Sequence, residues 1–119
     1  MGLTKKQINL LNRQKVVVLG TANLKSEPRC IFVEVNMVYS DKIIITDNEM
    51  KTTRKNILEN PQVFILAFKK DYSYGLKISG IAEYHKNSPY FDFVRNLETN
   101  KNYKPKGAIV IIPNKIKEF

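Results

Sequence analysis

Thr53, Arg54 and Lys55 stand side by side and bring a hydroxyl and two cations into one turn. That set can hold an anion. The chain around it supplies the rest of a cradle. Ile43–Thr46 is a β-branched run closing at Thr46, Met50 to Asn60 reads as a short helix that also carries Lys51, and Pro61 ends it before the apolar strand Val63–Phe68. A helix N-terminus presents unpaired N–H groups at the positive end of its dipole, which suits phosphate. The same residues also suit a solvated helix face. A second candidate is Arg29, which heads Pro28–Asn36. In that strand Arg29, Ile31, Val33 and Val35 share one face, and Cys30, Phe32, Glu34 and Asn36 share the other. A long cation at the head of a core-side set either points at a ligand or snorkels to the rim.

Most other chemistries lack their residues. Cys30 is the only cysteine and His85 the only histidine, so no internal disulfide forms and no zinc site of the usual kind is expected. The chain contains no GxGxxG, GxxxxGK[ST] or GxSxG pattern. His85 is expected at a strand edge and Cys30 in the core or an interface. Glu34 and Glu83 fall on predicted strands with no partner that spacing can supply, so no catalytic acid or base is assigned.

The 119 residues suffice for one domain, residues 1–119, around one core, and the formal charge of +9 favours anionic partners. Lys and Arg are scattered rather than massed in a tail. No run approaches the roughly 20 apolar residues of a membrane span. The N-terminal MGLTKKQINLL lacks the apolar core of a signal peptide. The cytoplasm is therefore the expected compartment, with no membrane partner.

The elements that must position these residues follow from periodicity. Leu3–Arg13 reads as a helix with Thr4 and Gln7 at capping-box spacing. Val16–Thr21 is a strand whose Gly20 suggests a bulge or a close backbone approach. Asn23–Glu27 is a turn, and Met37–Tyr39 with Ile43–Thr46 form a hairpin. Leu76–His85 alternates as a strand in which Gly80 permits a bulge. Ser88, as N-cap, and Pro89 open a helix whose buried face is Tyr90, Phe93, Val94 and Leu97. Ala108–Pro113 is the closing strand, which Ile116 and Phe119 extend. The expected fold is α+β: a small antiparallel six-stranded split β-barrel with three short helices.

The order of motifs resembles the pyridoxamine 5′-phosphate oxidase-like split-barrel flavoproteins. The shared features are the strand-end Thr46, the Thr53-Arg54-Lys55 turn, the Asn60-Pro61-x-Val63 strand entry, and the strand Lys77-x-Ser79-Gly80-x-Ala82-Glu83. The resemblance spans nearly the whole chain. It implies an FMN site at a homodimer interface and an oxidoreductase of unknown substrate. Thr53, Arg54 and Lys55 match the family's phosphate-binding turn, and Arg29 matches its other phosphate arginine. Ile45 and Thr46 match the strand that runs along the flavin, and Lys77 matches a position that reaches the cofactor from the partner. The chain also departs from the vitamin oxidases. Glu34 replaces a lysine, about three extra residues separate Thr46 from Thr53, and their long C-terminal substrate-binding segment has no counterpart after AIVIIP. Pyridoxamine phosphate oxidation is therefore not expected. Two other readings remain open at this point. One is a split barrel that binds haem, a deazaflavin, or FMN only as a carrier. The other is a nucleic-acid-binding barrel using the charge and Tyr72–Tyr74.

Overall fold

The first helix begins where its capping residues dictate. In the computed structural model, which describes residues 2–119, the Gln7 N–H donates to the Thr4 hydroxyl and the Thr4 N–H donates to the Gln7 side chain. This closed capping box starts α1 (Lys5–Gln14), whose Leu10 and Leu11 are buried. Asn23 then shapes the turn between β1 (Val16–Ala22) and β2 (Pro28–Glu34), its Oδ1 accepting from the Lys25 and Glu27 N–H groups. Ser40 and Asp41, with φ of 49° and 63°, make the tight turn from β3 (Met37–Tyr39) to β4 (Lys42–Asp47). The remaining elements are α2 (Thr52–Glu59), β5 (Gln62–Phe68), β6 (Gly75–His85), α3 (Pro89–Arg95), a 3₁₀ turn at Glu98–Asn100, and β7 (Gly107–Glu118).

All strand pairs are antiparallel, in the order β2-β1-β5-β6-β7-β4-β3. The sheet has seven strands rather than the expected six. Between β2 and β3, at Val35–Asn36, the chain turns a corner. There the Val35 N–H donates to the Lys15 carbonyl and the Asn36 N–H to the Ile44 carbonyl. The short β3 therefore lies at the opposite end of the sheet from β2, although the two are consecutive in the chain. The corner ties both ends together and curls the sheet into a half-barrel.

The concave side holds the main core, with Leu19, Ile43, Ile45, Ile65, Leu76 and Ile78 among its fully buried side chains. A second cluster sits behind β4 and β7, where Ile44, Val94, Ala108 and Val110 pack with Tyr90, Phe93 and Leu97 around α3. That confirms the predicted apolar face of α3. Ser88 occupies the N-cap position but makes no side-chain capping bond, and its Oγ is buried without a partner.

The two strand glycines differ. The β6–β7 register shifts between Ser79 and Gly80, so the bulge expected at Gly80 is present. A Cβ there would lie 2.6 Å from the Ile112 carbonyl oxygen. Gly80→Ala is expected to destabilise the fold by about 1–3 kcal/mol, read as a lower denaturant midpoint, and an unchanged midpoint would contradict the close approach. Gly20 makes no bulge. It pairs in regular register with Cys30 and Phe64, and a Cβ would meet Phe64 at an ordinary 3.6 Å.

Candidate functional site

The half-barrel is open between the edge of β2 and the β4–α2 junction. β2 ends the sheet, so one of its edges has no strand beside it. On β4, only Lys42–Ile44 is covered by β3, and Ile45–Asp47 leaves that edge uncovered. Between these two edges runs a cleft of about 360 Å³. Arg29, Ile31, Phe32 and Glu34 line it from β2. Thr46, Glu49, Met50, Lys51, Thr52 and Thr53 line it from β4 and the start of α2. The α2 N-terminus has no side-chain cap, and Thr53 is only 2% exposed. The lining of the cleft thus includes two cations, two hydroxyls and a helix N-terminus, which together favour an anion. Ile31, Phe32 and Met50 give the walls an apolar strip.

A hydrogen-bonded relay of amides and a hydroxyl forms part of the wall. Asn100, 5% exposed, donates through Nδ2 to the Val94 carbonyl at 2.8 Å and to Thr46 Oγ1 at 2.9 Å. The Thr46 hydroxyl donates to Asn36 Oδ1 at 2.7 Å, and Asn48 Nδ2 donates to Asn100 Oδ1 at 3.2 Å. All four residues line the cleft.

Below the cleft lies a charged cluster around Asp47, which is fully buried. Asp47 accepts from Arg54 Nε at 2.6 Å, from the Met50 N–H at 2.9 Å, and from the Tyr84 hydroxyl. The hydrogen bond to Asp47 holds the Arg54 guanidinium above its ordinary pKa. Burial, then the bond and charge of Asp47, push the Tyr84 phenol well above its ordinary value of 10.0. Tyr74 is pushed up to about 12, chiefly by burial and then by its bond to Glu118. An acid whose folded pKa is raised favours folding fully below its unfolded pKa and loses that contribution as pH rises above it. Stability is therefore expected to fall as pH climbs above about 10. Tyr84→Phe should flatten part of that fall, measured as denaturant midpoints between pH 8 and pH 11. An equally steep fall in the variant would remove Tyr84 from the effect.

Arg29, Thr46 and Thr53 come together on the cleft, and the other sequence candidates lie elsewhere. The Ile45 side chain is buried in the core, Ile45 pairs with Ile109 of β7, and it does not line the cleft. Arg54 is held by Asp47, with its Nη2 buried and without a partner. Lys55 lines a separate cleft with Asn23, Lys25 and Glu59. Lys77 is on the outer face of β6, its Nζ 5.4 Å from the Phe119 ring centre. His85 is half-buried at the end of β6, with Nε2 3.0 Å from Glu83 Oε1. Cys30 is exposed on β2 rather than packed in the core. In the tyrosine loop, Tyr72 stacks on Phe68 and Tyr74 bonds Glu118. Sequence reasoning did not single out Asn48, Thr52 or Asn100. Thr52 is adjacent to the Thr-Arg-Lys turn and was within reach; nothing in the sequence links Asn100 to Thr46. Among the described residues no group of three or more His, Cys, Asp or Glu side chains forms a metal site, and no helix is long and apolar enough to cross a membrane.

Comparison with known proteins gives a consistent picture. The family model described as "Pyridoxamine 5′-phosphate oxidase" matches residues 3–118. An uncharacterized protein of Methanocaldococcus jannaschii is 33% identical over 115 residues, covering 92% of this chain and 75% of its own. Solved structures share the fold. HupZ of Group A Streptococcus superposes with a TM-score of 0.88 at 19% identity, covering 98% of this chain and 94% of its own. An FMN-binding protein of Syntrophomonas wolfei superposes with a TM-score of 0.78 at 21% identity, covering 93% and 82% respectively.

Proposed function

Since this chain belongs to the pyridoxamine 5′-phosphate oxidase family, we propose that its cleft binds FMN and that the protein is a flavin-dependent oxidoreductase. The observation that carries this reading is the convergence of Arg29, Lys51, Thr52 and Thr53 with the uncapped start of α2 on the lining of the cleft. These donors suit a phosphate close to doubly charged. Arg54 Nη2, a buried cationic donor without a partner, is a further group that an anion could satisfy if α2 shifts to admit it. Glu34 and Glu49 line the same cleft and repel a phosphate, so the cations and the N–H groups of α2 have to outweigh them. The strip of Ile31, Phe32 and Met50 suits a flat, largely apolar ring. The uncovered backbone edge at Thr46 offers it hydrogen bonds. Bound FMN supplies the electron transfer, while the chain's residues hold, orient and shield it.

A second copy of the chain completes the site in this reading. On the outer face of the sheet, Phe32 stands opposite Val18, which stands opposite Leu66; Cys30, Gly20 and Phe64 form the adjoining row. Phe32 is 78% exposed and Phe64 39%. Such a face is suited to burial against a symmetry mate. Phe32 also lines the cleft, so a partner seated on this face borders the ligand. Lys77, which continues the Val18–Leu66 row onto β6, reaches a cleft only from such a partner.

Titration of FMN with the purified protein is expected to quench flavin fluorescence, with a dimer in sedimentation. Phe32→Asp is expected to shift the dimer toward monomer and to weaken FMN binding. A protein that leaves FMN fluorescence unchanged overturns the cofactor assignment. A Phe32→Asp monomer with undiminished affinity overturns the shared site. Repeating the titration with haem and a deazaflavin separates those cofactors, and a nicotinamide donor added to the FMN complex tests reduction.

A further inference from the structure

The relay behind the cleft has a direction, and that direction fixes what it offers a ligand. The Val94 carbonyl can only accept, so the Asn100 group bonded to it is its Nδ2. The remaining Asn100 oxygen must accept, so Asn48 faces it with Nδ2. Turning Asn48 over would set two carbonyl oxygens against each other. Thr46 Oγ1 accepts from Asn100, and its own proton goes to Asn36 Oδ1. If Asn36 were turned over, both amides would donate to Thr46, and the Thr46 proton, on a residue only 9% exposed, would lose its acceptor. Asn36 Oδ1 is therefore committed to the protein. Its Nδ2 makes no hydrogen bond among the described residues and is not a buried orphan, on a half-buried residue of the cleft wall.

We propose that Asn36 is a specificity-determining hydrogen-bond donor of the cleft, held in that sense by Asn100 through Thr46, and that it takes a carbonyl on the ring of the ligand. The ligand class is a planar ring bearing a lactam or imide carbonyl. Resting on the FMN reading, the inference assigns Asn36 to a carbonyl of the flavin's pyrimidine ring. A ligand presenting an N–H or an ammonium at that position meets another donor and is rejected. Asn100 is the positioning residue. It comes from the 3₁₀ turn after α3 and acts only through Thr46.

Asn36→Asp tests this with little change in shape. The aspartate keeps the oxygen that accepts from Thr46 and replaces only the group presented to the cleft. Wild-type protein and the variant are titrated with FMN by fluorescence quenching, from neutral pH down to the range of a carboxyl, with thermal melts of both at each pH. At neutral pH the variant is expected to bind FMN about tenfold or more weakly at an unchanged melting temperature, because a carboxylate faces the ring carbonyl. As pH falls toward about 4 the carboxyl gains a proton it can donate, and the variant's affinity should converge on that of the wild type. A merely structural role for Asn36 gives no such convergence. Wild-type protein that binds FMN while the folded variant binds equally well at neutral pH overturns the proposal and leaves the FMN reading standing. A weaker variant whose deficit does not change with pH also overturns it. Wild-type protein that binds no FMN overturns the reading on which the proposal rests, and the proposal with it.

Discussion

Arg29→Ala is expected to lower FMN affinity by about ten- to a hundredfold. Among the described residues Arg29 is the only arginine on the cleft wall, where Lys51 is the one other cation. A hydrogen bond to a charged group contributes about 1.5–3 kcal/mol, and each 1.4 kcal/mol or so is a factor of ten in Kd. Lys51 and the α2 N-terminus remain in the variant, so binding weakens without vanishing. Lys55→Ala serves as the control, since Lys55 lines a different cleft, and its affinity should stay within about twofold. Fluorescence titration decides between them at one fixed salt concentration, because the term is electrostatic and screened. Equal affinity in wild type and Arg29→Ala would place the phosphate elsewhere. A large loss in Lys55→Ala would restore the sequence-based assignment of that lysine. Free riboflavin should discriminate the two proteins far less than FMN does.

Asp47→Ala carries the largest expected cost in stability, about 2–4 kcal/mol. Asp47 is fully buried and accepts from the Arg54 guanidinium, the Met50 N–H and the Tyr84 hydroxyl. Removing the carboxylate leaves those donors without their acceptor, together with a void. The Arg54 side chain is 26% exposed and regains some water, which keeps the figure toward the low end for a broken buried pair. Asp47→Asn retains one oxygen and should cost less. Chemical denaturation at neutral pH reads both, and a loss below about 1 kcal/mol for the alanine variant would show that the cluster is not a structural anchor. The Met50 N–H bond lies in the turn leading into α2, so the variant should also loosen Thr52 and Thr53 and weaken FMN binding beyond what stability alone accounts for.

The two variants mark how far the sequence could be read. Features set by neighbours in the chain were legible. Thr4 and Gln7 form the box their spacing implied, and the hairpin that opens at Met37 and the Gly80 bulge stand where expected. Alternation along Pro28–Asn36 placed Val33 and Val35 in the core. What the sequence did not show depended on partners brought by the fold. Arg54 matches the family's phosphate turn, and nothing in the spacing showed that Asp47 would be buried beneath it. Lys55 follows Arg54 directly, yet helical rotation turns it to another surface. Gly20 has the chain context of a bulge, but both of its neighbouring strands run in register past it. Asn100 was invisible because its role requires β4 and the turn after α3 to meet. The corner at Val35–Asn36, which sends β3 to the far end of the sheet from β2, was likewise hidden, because it depends on Lys15 and Ile44 accepting its two N–H groups.

The place of β7 in the sheet has a consequence for synthesis. β7 lies between β6 and β4, so during translation the two strands it joins are made well before it. Until Gly107–Glu118 emerges, β6 and β4 each lack a strand along one edge, and Ile43, Ile44 and Ile45 have no Ile109, Val110 and Ile111 opposite them. A nascent chain at that stage carries an apolar, unpaired strand edge, the kind of surface that aggregates or recruits a chaperone. The cleft wall built on β4 is completed only when this strand inserts, so on the proposed reading FMN capture follows synthesis of β7 rather than accompanying growth of the chain up to it.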